Sequence, residues 1–323
     1  GNVISFLLLI CTALFAQYTN CKFKNHRYTE ICETLIKKNV PVHEINTFLL
    51  APKTIKLDEL SYKLFHPSKI AKHRENEKKA NNVLVKHIPK IITHVKKYDA
   101  VYDEAESKYG VNREIIASIL MKETKLGIIQ PSFDAFEVFN TLVVKVEENT
   151  KRDTWLLNMG KSNLVSIISY CYKKGLQPSQ CVLPSSYAGA VGIAQFMPSS
   201  FGYIDSYTNE VGDLTKMEDA ILSAAKYLNQ RAKFTQLIDW NNIPEMSTVE
   251  SQWYDYAFSN ENASFVYSDS KMTGKKYNCF ACGKKELQYL KKYAKTIMSY
   301  NNSSNYAIGV IRLAYDTHYG LTK

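Results

Sequence analysis

A single carboxylate, Glu123, stands among apolar residues in the stretch Tyr109 to Gly127, YGVNREIIASILMKETKLG. Ile116, Ile119, Leu120 and Glu123 follow one another at i, i+3, i+4 and i+7, so a helix here places the acid on the stripe that faces the core. Desolvation disfavours an ionised carboxyl and raises its pKa, which is what a general acid working near neutral pH needs. Taken alone, the helix fits better with a partly buried Glu paired to a distant Lys or Arg, since buried acids are usually paired. A second stretch, Ser186 to Phe201, SYAGAVGIAQFMPSSF, is built from small residues. Gly189, Gly192 and the alanines at 188, 190 and 194 remove side-chain bulk and let backbone and ligand approach closely. Ser186 and Gln195 offer a hydroxyl and an amide within it, both suited to sugar hydroxyls or N-acetyl groups. Tight helix packing accounts for the small residues as well.

The elements that must position these groups are helical. Asn112 is an N-cap type, Glu114 falls in the first turn, and Gly127 followed by Pro131 marks a stop for the helix carrying Glu123. Upstream, Val83 to Lys108 repeats apolar residues at helical spacing, with Pro89 as a start or a kink and His87 on the apolar face as a satisfied core histidine. Tyr28 to Leu50 reads as short helices interrupted at Pro41. Residues 51–82 carry scattered prolines and the run AKHRENEKKANN, which reads as a solvated connection or an exposed helix surface. Helices are expected from Trp155 to Lys174, ending at Gly175, from Met217 to Phe234, and again from Lys285. The Asn-, Ser- and Tyr-rich segment 239–283 reads as an irregular, variable insertion. Alternating strand runs are few, so the expected fold class is mainly α.

At 323 residues with 45% hydrophobic side chains, the chain has ample material for a core. Its 41 Lys and Arg against 31 Asp and Glu give a charge of +10, which suits an anionic partner. Lys dominates, the basic residues are dispersed, and no zinc-finger spacing occurs, so nucleic acid fits worst. The apolar run Val3 to Phe15 is shorter than the roughly 20 residues a membrane span needs and suits a secretory signal over residues 1–16, cleaved after Ala16. Leu9 and Ile10 before Cys11 are bulkier than a lipobox prefers, which argues against an outer-membrane lipid anchor. Six other cysteines form three local pairs, Cys21 with Cys32, Cys171 with Cys181, and Cys279 with Cys282, and an even count in an exported chain favours disulfides. The last pair, a C-x-x-C, reads as a loop clip; no second C-x-x-C and no thioredoxin-like strand pattern accompanies it.

The E-T-x-x-G end of the Glu123 helix, the S-Y-A-G-A-V-G-x-x-Q-F-M-P-S-S-F stretch some seventy residues on, and Ser299 to Val310, SYNNSSNYAIGV, together resemble the lytic murein transglycosylase B family. The resemblance runs from about Tyr28 to Leu313 and leaves out most of residues 239–283. It implies a lysozyme-like catalytic core with an additional N-terminal helical domain: residues 17–82 as a helical lobe and connection, and 83–323 as the catalytic domain. It also implies cleavage of the β-1,4 bond between N-acetylmuramic acid and N-acetylglucosamine in peptidoglycan glycan strands, by a periplasmic enzyme. The family uses one carboxyl group, first as acid and then as base, while the sugar's own C6 hydroxyl attacks and leaves a 1,6-anhydro end. Glu123 matches that acid. Ser186, Gln195, Tyr227, Tyr300, Asn301 and Tyr306 match positions that contact the glycan. The family's Arg pair falls on Lys151 and Arg152, which makes Arg152 a weaker match for a glycan contact. Some members carry a calcium-binding loop after the M-P-S-S motif; the stretch YIDSYTNEVGDLTKMED here is shorter and lacks the D-x-D-x-D-G spacing, so no cofactor is expected. Cell-wall synthesis proteins are the further partners such an enzyme would meet.

Two rivals follow from the same residues. One is a lysozyme-like hydrolase using Asp134 to activate water. The other is a non-catalytic peptidoglycan-binding or scaffolding protein, against which the intact Glu123, Ser186 and Gln195 set argues.

Overall fold

The structure is a computed structural model that describes residues 21–66, 73–259 and 279–323. The expected signal segment and most of the central part of segment 239–283 lie outside the described residues. The chain divides into two compact units, one built from segments up to His66 and from Pro131 to Gly202, the other from Pro67 to Gln130 and from Tyr203 to Lys323. Among the described residues, strand structure comes down to a two-residue antiparallel ladder, Phe133 opposite Ser185 and Asp134 opposite Pro184, and isolated bridges such as Ser185–Val191 and Val191–Phe196. The remainder is helical or irregular, in line with a mainly α fold. No helix among the described residues is long and apolar enough to cross a membrane.

The first unit is a small bundle. His26–Lys37 and Val42–Leu49 are separated at Pro41, and their buried Ile31, Leu35, Ile45, Phe48 and Leu49 form part of the core. Ala135–Lys145 adds Phe136, Phe139 and Leu142, all fully buried, and lies along Lys151–Lys173. That long helix starts a turn before Trp155 because Thr150 and Asp153 form a reciprocal capping box. Gly160 permits the close approach: a methyl group there would lie 2.9 Å from Leu142 Cβ. Disulfide Cys21–Cys32 ties the chain before His26–Lys37 to the middle of that helix, and Cys171–Cys181 clips the end of Lys151–Lys173. Lys53 fastens its loops, donating to the Cys181 carbonyl at 2.6 Å while its ammonium lies 4.2 Å over the Phe136 ring.

The second unit wraps one helix. Arg113–Thr124 buries every residue from Glu114 to Met121 and packs against Ser304–Leu321, Ile88–Lys97, Asp99–Tyr109 and Met217–Gln230. The apolar stripe expected from the sequence is therefore part of a helix enclosed on all sides, which is why Ser118 and Glu114 are buried too. Asn112 stands at the N-cap but makes no capping bond; its amide accepts from Ile238 N at 2.7 Å and donates to the same residue's carbonyl. The helix stops at Lys125, two residues before Gly127, and Lys125, Leu126 and Gly127 all take left-handed φ values of 49°, 59° and 80°. Pro89 marks a start, in the first turn of Ile88–Lys97. His87 is only partly buried at that helix's N-cap, and the core histidine is instead His94, bonded to the Tyr102 hydroxyl at 2.7 Å and pushed down to about 4 by burial.

Two other segments depart from the sequence reading. The charged run is a helix, His73–Val85, with an inward face: Asn81 is 1% exposed. Within segment 239–283, Met246–Ser259 is a regular helix whose Trp253 is buried and donates to Asn305 Oδ1 at 2.7 Å. Asn and Ser composition reported loop character; the buried aromatic positions decided the outcome. The C-x-x-C closes as the disulfide Cys279–Cys282.

Candidate active site

Glu123 occupies the last turn of the enclosed helix, where water still reaches part of the residue. The Tyr306 hydroxyl donates to its Oε1 at 2.6 Å. Protein atoms crowd the carboxyl and raise its pKa to about 7; the Tyr306 hydrogen bond and the Lys122 charge pull the other way, and Glu77 adds to the rise. The carboxyl is thus part neutral and part ionised at neutral pH, the condition for giving a proton and later taking one back.

Tyr306 reaches the acid because Ser303 caps Ser304–Leu321, accepting from Tyr306 N at 3.2 Å, which sets the tyrosine in the first turn. Burial and the neighbouring Glu123 push its hydroxyl well above the ordinary tyrosine value, so it stays a donor. Tyr300 is raised in the same way by burial and by Glu123. Its ring meets Tyr227 edge-on at 5.3 Å, and Tyr227 in turn meets Tyr203 at 5.3 Å. The Tyr227 hydroxyl donates to Ser299 O at 2.7 Å and clamps the turn that leads to Tyr306. Asn301 is exposed in that turn. The second unit therefore brings Glu123, Tyr227, Tyr300 and Tyr306 together, with Asn301 at their margin.

Ser186, Gln195 and Arg152 belong to the first unit. Ser186 anchors a tight loop: its N–H donates to Ala190 O at 2.9 Å, and its Oγ accepts from Ala190 N at 3.2 Å. Gly189 sits in that loop at φ +83°, its Cα facing the Phe139 ring. Gln195 holds a left-handed φ of 52°, unusual for a residue with a Cβ, and its amide donates to Gly192 O at 2.9 Å. That bond spends an amide N–H and leaves Oε1 as an acceptor. Arg152 donates to Phe65 O at 2.6 Å and stacks over the exposed Trp155 ring at 5.9 Å, so part of its guanidinium is committed to holding the chain.

Asp134, the base that hydrolysis would need, has other employment. Its carboxylate caps Ala135–Lys145, accepts from Leu183 N at 3.2 Å and pairs with Lys53. Asp219, in the first turn of Met217–Gln230, accepts from Tyr207 N and Asp213 N of the loop after M-P-S-S, both at 2.8 Å. That carboxylate is spent on stitching the loop, and among the described residues no group of three or more His, Cys, Asp or Glu is placed to hold a metal ion.

Sequence reasoning missed the shell behind the acid. Lys122 is nearly buried, its side chain 4% exposed, and it reaches Glu77 and Asn81 of the helix read as solvated. The available signal was Glu77, Asn81 and Leu84 at i, i+4 and i+7, a stripe that ends in an apolar residue but begins with polar ones.

The chain matches the family model of the transglycosylase SLT domain over residues 80–315. The Escherichia coli lytic transglycosylase Slt35, solved in complex with bulgecin A, is similar over 93% of this chain and 95% of that one, at 17% identity and a TM-score of 0.61. SltB3 from Pseudomonas aeruginosa, solved with NAG-anhNAM-pentapeptide, is similar over 89% of this chain and 77% of that one, at 14% identity and a TM-score of 0.55. The soluble lytic transglycosylase SltB1 from the same organism covers 73% of this chain and 80% of its own, at 22% identity and a TM-score of 0.51. No curated protein matches the chain in sequence. Since the family match takes in well over half of the residues and the fold agrees, the chain belongs to the transglycosylase SLT domain family and is a peptidoglycan lytic transglycosylase with the lysozyme-like fold.

Proposed function

We propose that this enzyme is exported and cleaves the β-1,4 bond between N-acetylmuramic acid and N-acetylglucosamine, leaving a 1,6-anhydro end. The observation that carries the reading is Glu123, a carboxyl held near pKa 7 with one oxygen bonded to Tyr306. Because that hydroxyl donates to Oε1, the acid's own proton sits on the other oxygen and is free to pass to the glycosidic oxygen. As the bond to C1 breaks, Glu123 becomes a carboxylate and Tyr306 stabilises it. The carboxylate then accepts the C6 hydroxyl proton while that oxygen bonds to C1, so no water enters and Glu123 is returned to its acid form. The engagement of Asp134 supports this route over a hydrolytic one.

In the same reading Tyr227, Tyr300 and Asn301 present ring faces and polar groups to the sugars beside the acid, while the buried Tyr306 acts through its hydroxyl on Glu123. Within the first unit, Ser186 and Gln195 offer a hydroxyl and an amide oxygen and Arg152 an N–H that Phe65 does not use, groups of the kind that bond sugars. The fragment held by SltB3 supports a glycan strand as the ligand. Three sequence-local disulfides support an oxidising, periplasmic location.

Mass spectrometry of the products from purified sacculi tests the chemistry. Disaccharide-peptides lighter by one water than their hydrolytic counterparts are expected, and reducing muramic ends in their place would defeat the anhydro route. Tyr306→Phe is expected to raise the Glu123 pKa, since it removes a hydrogen bond that favours the carboxylate. The alkaline limb of the pH–rate profile should then move up by about one unit, the worth of a hydrogen bond to a charged group.

A further inference from the structure

Lys122 precedes the acid in sequence, yet its side chain is turned away from solvent and is almost wholly enclosed. Its ammonium donates to Glu77 Oε2 at 3.0 Å and to Asn81 Oδ1, and it lies 5.0 Å over the ring of Tyr306. The same ring's hydroxyl holds Glu123. Tyr306 is therefore gripped twice, by the cation on its face and by the acid at its edge.

The grip is built from several elements. Asn81 is fixed by donating to Tyr254 OH at 2.6 Å and to Asn305 O at 2.9 Å. Tyr254 donates to Glu250 at 2.9 Å, and Glu250 pairs with Arg312. Gly309 on Ser304–Leu321 makes room for the amide, since a methyl group there would lie 2.1 Å from Asn81 Oδ1. A long, strongly hydrated ammonium is costly to bury, and a Met would fill the same volume without that cost. The cation has an effect that a packing residue would lack: it lies beside a carboxyl that must alternate between neutral and charged.

We infer that Lys122 is a positioning residue for the acid, pinning the Tyr306 ring and, together with Glu77, setting the pH window in which Glu123 gives and takes its proton. The groups acting on the carboxyl are Lys122 on its own helix, Glu77 on His73–Val85, Tyr306 on Ser304–Leu321, and Tyr300 in the preceding turn. Lys122 favours the carboxylate directly by its charge and indirectly by polarising the hydroxyl that donates to it. Glu77 offsets part of that charge. The two residues therefore act in opposite senses on one titration.

This inference rests on Glu123 being the acid of the proposed reaction. The test is the pH dependence of kcat/KM for muropeptide release by the full chain carrying Lys122→Met, Lys122→Arg or Glu77→Gln. Lys122→Met should move the alkaline limb up by about one unit. Glu77→Gln, which keeps a hydrogen-bond partner for Lys122 but drops its charge, should move it down. Lys122→Arg should restore the limb toward its starting place. Limbs that stay put while thermal stability falls would show a structural residue only and overturn the inference. If Lys122→Met does not fold, an unmoved limb in Glu77→Gln overturns it alone. Titration of the 13C-labelled Glu123 carboxyl by NMR reads the same shifts without turnover. It separates failure here from failure of the transglycosylase mechanism, in which Glu123→Gln would remain active.

Discussion

Glu123→Gln is expected to abolish release of soluble muropeptides from purified sacculi, a loss of about a thousandfold or more, while sacculus binding survives. The amide keeps the size of the carboxyl and accepts from Tyr306 at the same 2.6 Å position, so packing changes little. It can neither protonate the leaving oxygen nor take the C6 proton, and both halves of the proposed reaction use this one group. Stability should move the other way. A carboxyl whose folded pKa lies near 7, above the ordinary value of 4.5, favours the fold while it is neutral and loses that contribution as pH rises from about 4.5 through 7. The variant has no such loss, and at pH 8 it should be more stable than the natural enzyme by about 2 kcal/mol, once water's access to the site is allowed for. Muropeptide release at the natural rate by the variant would remove Glu123 from the mechanism. A folded, more stable and inactive variant fits a residue kept for chemistry.

The mainly α frame that carries Glu123 was legible in the sequence, and the limits of that reading have physical causes. Glu123 stood out by its register with Ile116, Ile119 and Leu120, a register that alone fitted a paired acid better, and the structure keeps that register. The same periodicity concealed how far the helix is enclosed, because the polar Ser118 and Glu114, which lie off that stripe, are buried as well. Tyr306 was legible through its motif, but its bond to Glu123 spans a chain separation of 183 residues that no local pattern encodes. Lys122 and the Glu77–Asn81 face were not legible. A run such as AKHRENEKKANN carries the composition of a solvated surface, and only tertiary packing decides that two of its polar residues turn inward to meet a cation. The early stop at Lys125 was hidden for a similar reason, since left-handed φ values at Lys and Leu run against local preference and are held by the surrounding structure.

Gly189→Ala is expected to be strongly destabilising. The residue takes φ +83°, which costs a side-chain-bearing residue about 1 kcal/mol. Its new methyl would also lie 2.2 Å from two carbons of the Phe139 ring, far inside van der Waals contact. The ring cannot step aside cheaply: Phe139 is fully buried in Ala135–Lys145, and that helix is pressed against Lys151–Lys173 at Gly160. Overpacking a filled core of this kind costs about 1–3 kcal/mol, so a total near 3 kcal/mol is expected, measured as a lower denaturation midpoint in urea. Gly175→Ala is the matched comparison, because its φ is also left-handed at +71° but no atom lies within 4 Å of the added methyl. That variant should lose only the backbone contribution, about 1 kcal/mol. Equal losses in the two variants would show that the Phe139 ring yields freely and that the Ser186–Ala190 loop is not rigid against it. With the expected difference, Gly189 ties the loop that carries Ser186 to the core. The loop that presents Ser186 is seated on the core through a residue with no side chain, so any larger residue there must displace either the ring or the serine.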